Sequence, residues 1–389
     1  MNTASSITNY LWIIVQVLLS IGIWLPIILK LIGYFKNKPA DKKHTVKEYD
    51  YGIIVTAYQQ TKLLPGVVDS ILKLNYSNYL VYIVCDDCDI SALNFADKRV
   101  VILKPEVTLG NNILSHQYAI TRFKRQHNII TIIDSDNLLH AEYINEMNLF
   151  FKRGYKAVQG VRKARNLDTI YARLDEASDI YYRYVDRKLS FEGGSSATLA
   201  GSGMAFDADT YKDAIKNIQI SGAGFDKLLQ YYLVKNKEVL AFSEKAVVLD
   251  GKTSKSGQLV KQRARWINAW GKHWALGWDL LVTGTRSFSW NQVAFSNALL
   301  RPPLFLLLSG AVVCIAIDLA YQQFMVYYWL ITLFVFLFTF LTALQYFGAE
   351  KKIYRSLAQA PRFIFFQMLA LFKAREANQL SVATKHELK

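Results

Sequence analysis

Asp134 and Asp136 stand one residue apart at the end of a short apolar run, residues 129–133 (Ile-Ile-Thr-Ile-Ile). Carboxylates so spaced, where a chain leaves a strand, can share a hard divalent cation that also holds phosphate oxygens. The same Asp-Ser-Asp-Asn stretch, ahead of Leu138, Leu139 and Glu142, also makes a good helix start, so the pair alone leaves two readings. Asp86 and Asp87 close another apolar run and read equally as ordinary turn residues. Asp226 precedes a helical pattern over residues 227–234 and, taken alone, reads as its N-cap. Gly201 and Gly203, flanking Ser202 in a small-residue loop, permit close backbone approach to a ligand or form a plain turn.

The elements that must position these residues alternate. Apolar strand-like runs fall at 52–58, 80–85, 100–103, 129–133 and 157–161, with helical spacing at 63–74, 113–123 and 147–151 between them. That alternation predicts βαβ units and a mainly parallel α/β sheet. In open sheets of this kind ligands bind beyond the carboxyl ends of the strands, where the aspartates fall. Past residue 165 the pattern changes to a Tyr-rich helix over 175–189, a loop into a strand over 195–206, a strand over 239–249 and one or two helices over 259–281. Trp266, Trp270, Trp274 and Trp278 recur every four residues along the last, a stripe suited to a helix lying on a bilayer surface, with core packing as the alternative.

Composition agrees with a water-soluble body joined to apolar spans: 389 residues, 52% hydrophobic, 20% charged, net charge +15. Such a basic excess suits nucleic acid, anionic lipid or a phosphate-rich substrate, and the absence of any nucleic-acid-binding signature ranks nucleic acid last. Cys85 and Cys88 form a C-x-x-C with no second pair, and read as small core residues. Residues 11–29 carry no charge and are long enough to cross a bilayer. Lys30, Lys36, Lys38, Lys42 and Lys43 come next, which sets the N-terminus outside and the next domain in the cytoplasm. Residues 304–321, opened by Pro302-Pro303, and 326–347 are two further span candidates, while 361–372 reads as interfacial or re-entrant. The expected organisation is an anchor over 1–33, a cytoplasmic catalytic body over 34–285, membrane and interfacial helices over 286–373, and a basic tail over 374–389.

Behind the acidic pair comes Gln262-Arg-Ala-Arg265-Trp266. With the strand 53–58, Asp86, Asp134-Ser-Asp136 and Asp226 in this order, residues 50–280 resemble the membrane-anchored family 2 glycosyltransferases, the group of cellulose, chitin, hyaluronan and poly-N-acetylglucosamine synthases. The resemblance implies a GT-A, Rossmann-like fold and inverting transfer of a sugar from a UDP-sugar to a growing surface polysaccharide, with Mg2+ or Mn2+. It implies Asp136 on the metal, Asp134 on the donor ribose or sugar, Asp86 on the nucleoside, and Thr56 and Tyr58 in the base pocket. Asp226 would be the general base, Arg265 and Gln262 would hold the diphosphate, and Trp266, with the Gly201-Ser202-Gly203 loop, would meet the acceptor. The resemblance also implies an integral protein of a bacterial inner membrane, alone, as a homo-oligomer or with a secretion partner. Single-sugar transfer to a lipid-linked acceptor and a non-catalytic sugar-nucleotide scaffold are the alternatives. Three segments depart from the pattern. Phe225-Asp226 replaces Glu-Asp, Gly110-Asn111-Asn112 replaces Gly-Lys with Lys104 as a substitute, and residues 380–386 match the family's gating segment loosely.

Overall fold

Runs apolar on both sides form strands only where both sheet faces are covered. A computed structural model, describing residues 3–35, 48–218, 224–321 and 323–374, shows such a sheet. Its strands are β1 (Tyr51–Tyr58), β2 (Tyr79–Asp86), β3 (Val100–Leu103), β4 (Ile129–Asp134), β5 (Leu138–Leu139), β6 (Ala157–Ala164), β7 (Met204–Asp207) and β8 (Leu240–Asp250). They lie in the order β3-β2-β1-β4-β7-β6-β8-β5. The first four are parallel, as the alternation predicts. β7 then runs antiparallel between β4 and β6, and β6 and β8 are parallel again.

Side chains alternate between two cores, as strand geometry requires. Ile53, Val55, Ile129 and Ile133 pack beneath the helices Leu64–Leu72 and Tyr143–Phe151. Ile54, Ile130 and Ile132 pack on the other side, against Asn112–Ile120, Ala208–Lys216 and Phe225–Lys235. Cys85 sits in the first core, where burial pushes its thiol up to about 12, so it is an inert apolar filler at neutral pH.

Among the described residues two helices are long and apolar enough to cross a membrane: residues Asn9–Phe35 within the helix Thr3–Phe35, and Met325–Tyr346. The expected span over 304–321 is only the 17-residue helix Leu304–Ala320. It reaches spanning length together with Trp290–Leu300, from which it bends by 77° across Arg301-Pro302-Pro303. Proline removes the backbone donors and forbids a straight continuation. Trp12 Nε1 and Gln16 Nε2 both donate to Asp318 Oδ1, and Trp24 Nε1 donates to Thr332, so the first span is pinned to the other helices by polar groups in an apolar setting. Ala360–Lys373, at 14 residues, is shorter than a span needs, and its Ala370 packs with Val260, Ala264 and Phe305. The lysines Lys36, Lys38, Lys42 and Lys43 and the segment 380–386 lie outside the described residues.

Candidate active site

Sheet register builds the first half of the site. Thr56 of β1 is paired with Asp134 of β4, and Tyr58 of β1 with Asp86 of β2, so four expected residues emerge side by side at the carboxyl edge. Asp86 is buried, and its carboxylate accepts the backbone N–H groups of Leu109 (2.8 Å) and Gly110 (2.7 Å). Gly110 has φ +58°, and Asn111 caps the helix Asn112–Ile120 by accepting the Ile113 N–H at 2.8 Å. The Gly-Asn-Asn departure is therefore a turn and a helix cap latched to Asp86. Lys104 is exposed and lies away from the cleft lining, so it does not stand in for a family lysine.

The Asp134–Asn137 turn is stapled from behind. The Asp134 N–H donates to Ser202 Oγ (3.0 Å), Ser202 Oγ donates to Asn137 Oδ1 (2.7 Å), and Asn137 Nδ2 donates to Asp136 Oδ1 (2.8 Å) and Asp250 Oδ1 (3.2 Å). The chain leaves this turn into the two-residue β5, and the helix Tyr143–Phe151 starts only after Glu142, so the acidic pair is not a helix cap. Ser202 and Gly203 sit behind the turn rather than in the cleft wall. Ser202 is fully buried, and a Cβ on Gly203 would stand 2.8 Å from Val248. Of Gly201, Ser202 and Gly203, Gly201 is the one that lines the cleft.

The second half comes from helices. Gln262, Arg265, Trp266 and Trp270 stand at i, i+3, i+4 and i+8 on the helix Ser256–His273, and so line the cleft from one face. The tryptophan stripe divides here. Spacing by four advances about 40° per step, so four indoles wind about 120° around the axis. Trp266 and Trp270 face the cleft, while Trp274, at the break before the helix Ala275–Arg286, meets Trp278 edge-on at 5.9 Å with both exposed. Asp226 is the second residue of Phe225–Lys235, whose N-cap is Gly224, so it is not the cap. Thr56, Asp86, Asp134, Asp136, Asp226 and Arg265 all line a single cavity of about 860 Å3.

Electrostatics join the halves. Burial pushes the Asp134 carboxyl up to about 7; the charges of Asp136, Asp250 and Asp226 add to the shift and Arg162 opposes it. Burial also disfavours charge on Asp250, but Arg162 and Lys252 outweigh it and hold its carboxyl at about 2. Arg162 reaches Asp250 at 2.9 Å. Lys252 bridges Asp250 (3.2 Å), Asp179 (3.1 Å) and Glu176 (3.3 Å), and Arg183 joins Glu176 (3.2 Å) to Asp179 (3.0 Å). Sequence reasoning missed this buried network. Its trace was there: Asp175, Glu176, Asp179, Arg183 and Arg187 recur at three- and four-residue spacing. Their helix, Ile170–Tyr182, runs on as a π-helical stretch, Arg183–Leu189. Among the described residues no three His, Cys, Asp or Glu side chains form a self-sufficient metal site.

The glycosyltransferase like family 2 model matches residues 49–269, more than half of the chain. The chain belongs to glycosyltransferase family 2. Its fold is GT-A. The mannosyltransferase PcManGT from Pyrobaculum calidifontis, solved in complex with GDP-Man and Mn2+, superposes with a TM-score of 0.55 at 12% identity, covering 92% of this chain and 97% of that one. TarS from S. aureus, residues 1–349 with UDP-GlcNAc, gives a TM-score of 0.44 at 14% identity over 64% and 70% of the two chains, a likeness too loose to argue from. No curated protein matches the sequence. In this family 2 chain the matched region ends just past Trp266, within the helix that closes the cleft.

Proposed function

We propose that this family 2 glycosyltransferase moves a hexose, with inversion, from a nucleoside diphosphate to an acceptor hydroxyl at the cytoplasmic membrane face. Uridine is the base its motifs imply. The observation that carries the reading is the single cavity in which the strand-end aspartates, Asp226 and the Gln262–Arg265–Trp266 face meet. PcManGT's GDP-Man and Mn2+ support a nucleotide-sugar donor and a divalent cation.

In this reading Thr56, Tyr58 and Asp86 hold the nucleoside, and Asp134 the ribose or sugar. Arg265 presents its fork to the diphosphate, assisted by Gln262. Asp226 accepts the proton as the acceptor oxygen bonds to the anomeric carbon, and the bond from that carbon to the phosphate oxygen breaks as the nucleoside diphosphate leaves. Trp266 gives the acceptor sugar an aromatic face, which the Arg263 guanidinium backs at 4.3 Å. Asp134 and Asp136 fit a cation. Burial raises the Asp134 carboxyl and the Asp136 charge adds to it, a penalty a cation would relieve, and Mg2+-like ions take one or two carboxylates and fill the rest with water and substrate phosphate. Bound at Asp136, Mg2+ or Mn2+ would neutralise charge developing on the leaving diphosphate.

The resemblance gives a surface polysaccharide as the product. The test is nucleotide release from UDP-sugars, with Mg2+ or Mn2+, by wild type and Asp226→Asn. The expected loss is about 10^3-fold in kcat with donor binding kept. Equal release by both removes Asp226 as the base. No release with any sugar nucleotide leaves the binding-scaffold alternative.

A further inference from the structure

The cavity does not end at the sugar site. Beyond Arg162 and Lys252 it runs past Asp179, Arg187 and Tyr182 and on between the membrane helices, where Leu304, Phe305, Leu308, Phe336, Leu337 and Phe340 line it. Leu337 is 50% exposed on the outside of the span Met325–Tyr346, so this arm reaches the lipid-facing surface. A glycan threaded there would bury its hydroxyls against phenyl rings and leucines without partners, which is costly. A hydrocarbon chain would gain with every methylene buried in the same place.

Where the apolar arm meets the polar cleft, two arginines stand at the junction. Arg301 lies beside the first span, since a Cβ on Gly22 would fall 2.6 Å from its side chain, and it pairs with Asp186 at 2.6 Å. Ionisable groups at this depth mark functional sites. Arg187 is more than nine-tenths buried and lines the cavity. Its Nη1 stands 3.6 Å from Asp179, too far for a hydrogen bond, and neither Nε nor Nη1 has a hydrogen-bond partner. A buried guanidinium with two idle donors calls for an anion.

We infer that this arm binds the acceptor as a membrane lipid bearing a phosphate. The long apolar chain lies along Phe336, Leu337 and Phe340, and the phosphate accepts from Arg187, with Arg301 next to it. The inference rests on the glycosyltransferase reading of the same cavity and gives the acceptor's chemical class: a polyprenyl or similar long-chain monophosphate, bare or carrying its first sugars. It favours a lipid-borne acceptor over a free polymer.

The experiment uses full-length protein in detergent and four probes: a long-chain polyprenyl monophosphate, the corresponding polyprenol, inorganic phosphate and UDP. Saturable binding of the polyprenyl monophosphate, at least tenfold tighter than polyprenol, is expected. Arg187→Gln should abolish that preference and leave polyprenol binding unchanged, while Leu308→Trp, which fills the arm, should weaken both lipids. If Arg187→Gln does not fold, Leu308→Trp, placed away from the ion network, carries the test. Equal affinity for phosphate lipid and alcohol overturns the inference. So does inorganic phosphate that competes as well as the lipid, marking a free-anion site, and so does elongation of a soluble oligosaccharide with no lipid present. UDP separates the two levels: lost lipid selectivity with UDP binding intact sinks this inference alone, and absence of UDP binding sinks the donor reading beneath it.

Discussion

The two halves of the cleft hold their charges in opposite ways. On the strand-end side, Asp86 accepts the backbone amides of Leu109 and Gly110, and Ser202 and Asn137 brace the turn that carries Asp134 and Asp136. Burial raises the Asp134 carboxyl, and the field of Arg162 opposes the rise without cancelling it. On the membrane side, Asp179, Asp250 and Glu176 are locked to Arg162, Arg183 and Lys252 in a closed network. The contrast is between a half that crowds buried carboxylates together and a half that commits them to internal ion pairs. In the proposed reading the first half takes the cation, while the second holds its shape with the ion pairs of Arg162, Arg183 and Lys252.

Breaking the second half should give the largest effect. Lys252→Met leaves Glu176, Asp179 and Asp250 short of their shared cation. Removing one partner of a buried network costs about 3–5 kcal/mol. The thermal midpoint in detergent should fall steeply, and a midpoint within a degree of wild type would show that the network contributes nothing to stability. Asp136→Asn is the converse test on the donor side. It should leave the midpoint nearly unchanged and lower kcat about 10^2–10^3-fold, as for loss of one preorganised electrostatic contact. Titrating Mn2+ against turnover checks it: an unaltered metal requirement in the variant would place the cation elsewhere.

The smallest expected effect is in the core behind the donor half. His116 is fully buried under the loop latched by Asp86, bonded to the Tyr211 hydroxyl at 2.7 Å, and burial pushes its pKa down to about 3. The unfolded chain takes a proton near pH 6.5 and the native chain does not, so stability is full above pH 6.5 and falls as pH drops toward 3. The slope from this group is about 1.4 kcal/mol per pH unit. Thermal unfolding at pH 6.5 and 5.5 should show it, and His116→Gln should flatten it. An identical slope in the variant would mean that other groups set the acid sensitivity.

The same contrast explains which features were legible in the sequence. Strand-end carboxylates are written locally: an apolar run, then Asp86 or Asp134, and register does the rest by pairing Tyr58 with Asp86 and Thr56 with Asp134. The Gln262, Arg265 and Trp266 face was legible through its match to a motif of the resembled family, and helical spacing puts the three on one side. Three features were not. Ser202 and Gly203 looked like cleft residues because small residues suit both close ligand approach and close packing, and only the staple to Asn137 separates the two. Arg162 lies far along the chain from Asp250 and Lys252 and meets them only because β6 pairs with β8. The antiparallel β7 was also hidden, since four residues of strand carry no sign of direction.

The π-helical stretch Arg183–Leu189 carries one residue more per turn than an ordinary helix needs. Deleting one residue within it would restore α-helical winding there and leave the helix beyond in register, so the side chains inside the stretch are the ones re-aimed. Those include Arg187, which lines the cavity, and Lys188, which holds Glu192 and Glu244 at 2.6 and 2.9 Å. The surplus residue is what turns Arg187 toward the cavity, and a chain one residue shorter here would present a different side chain in its place.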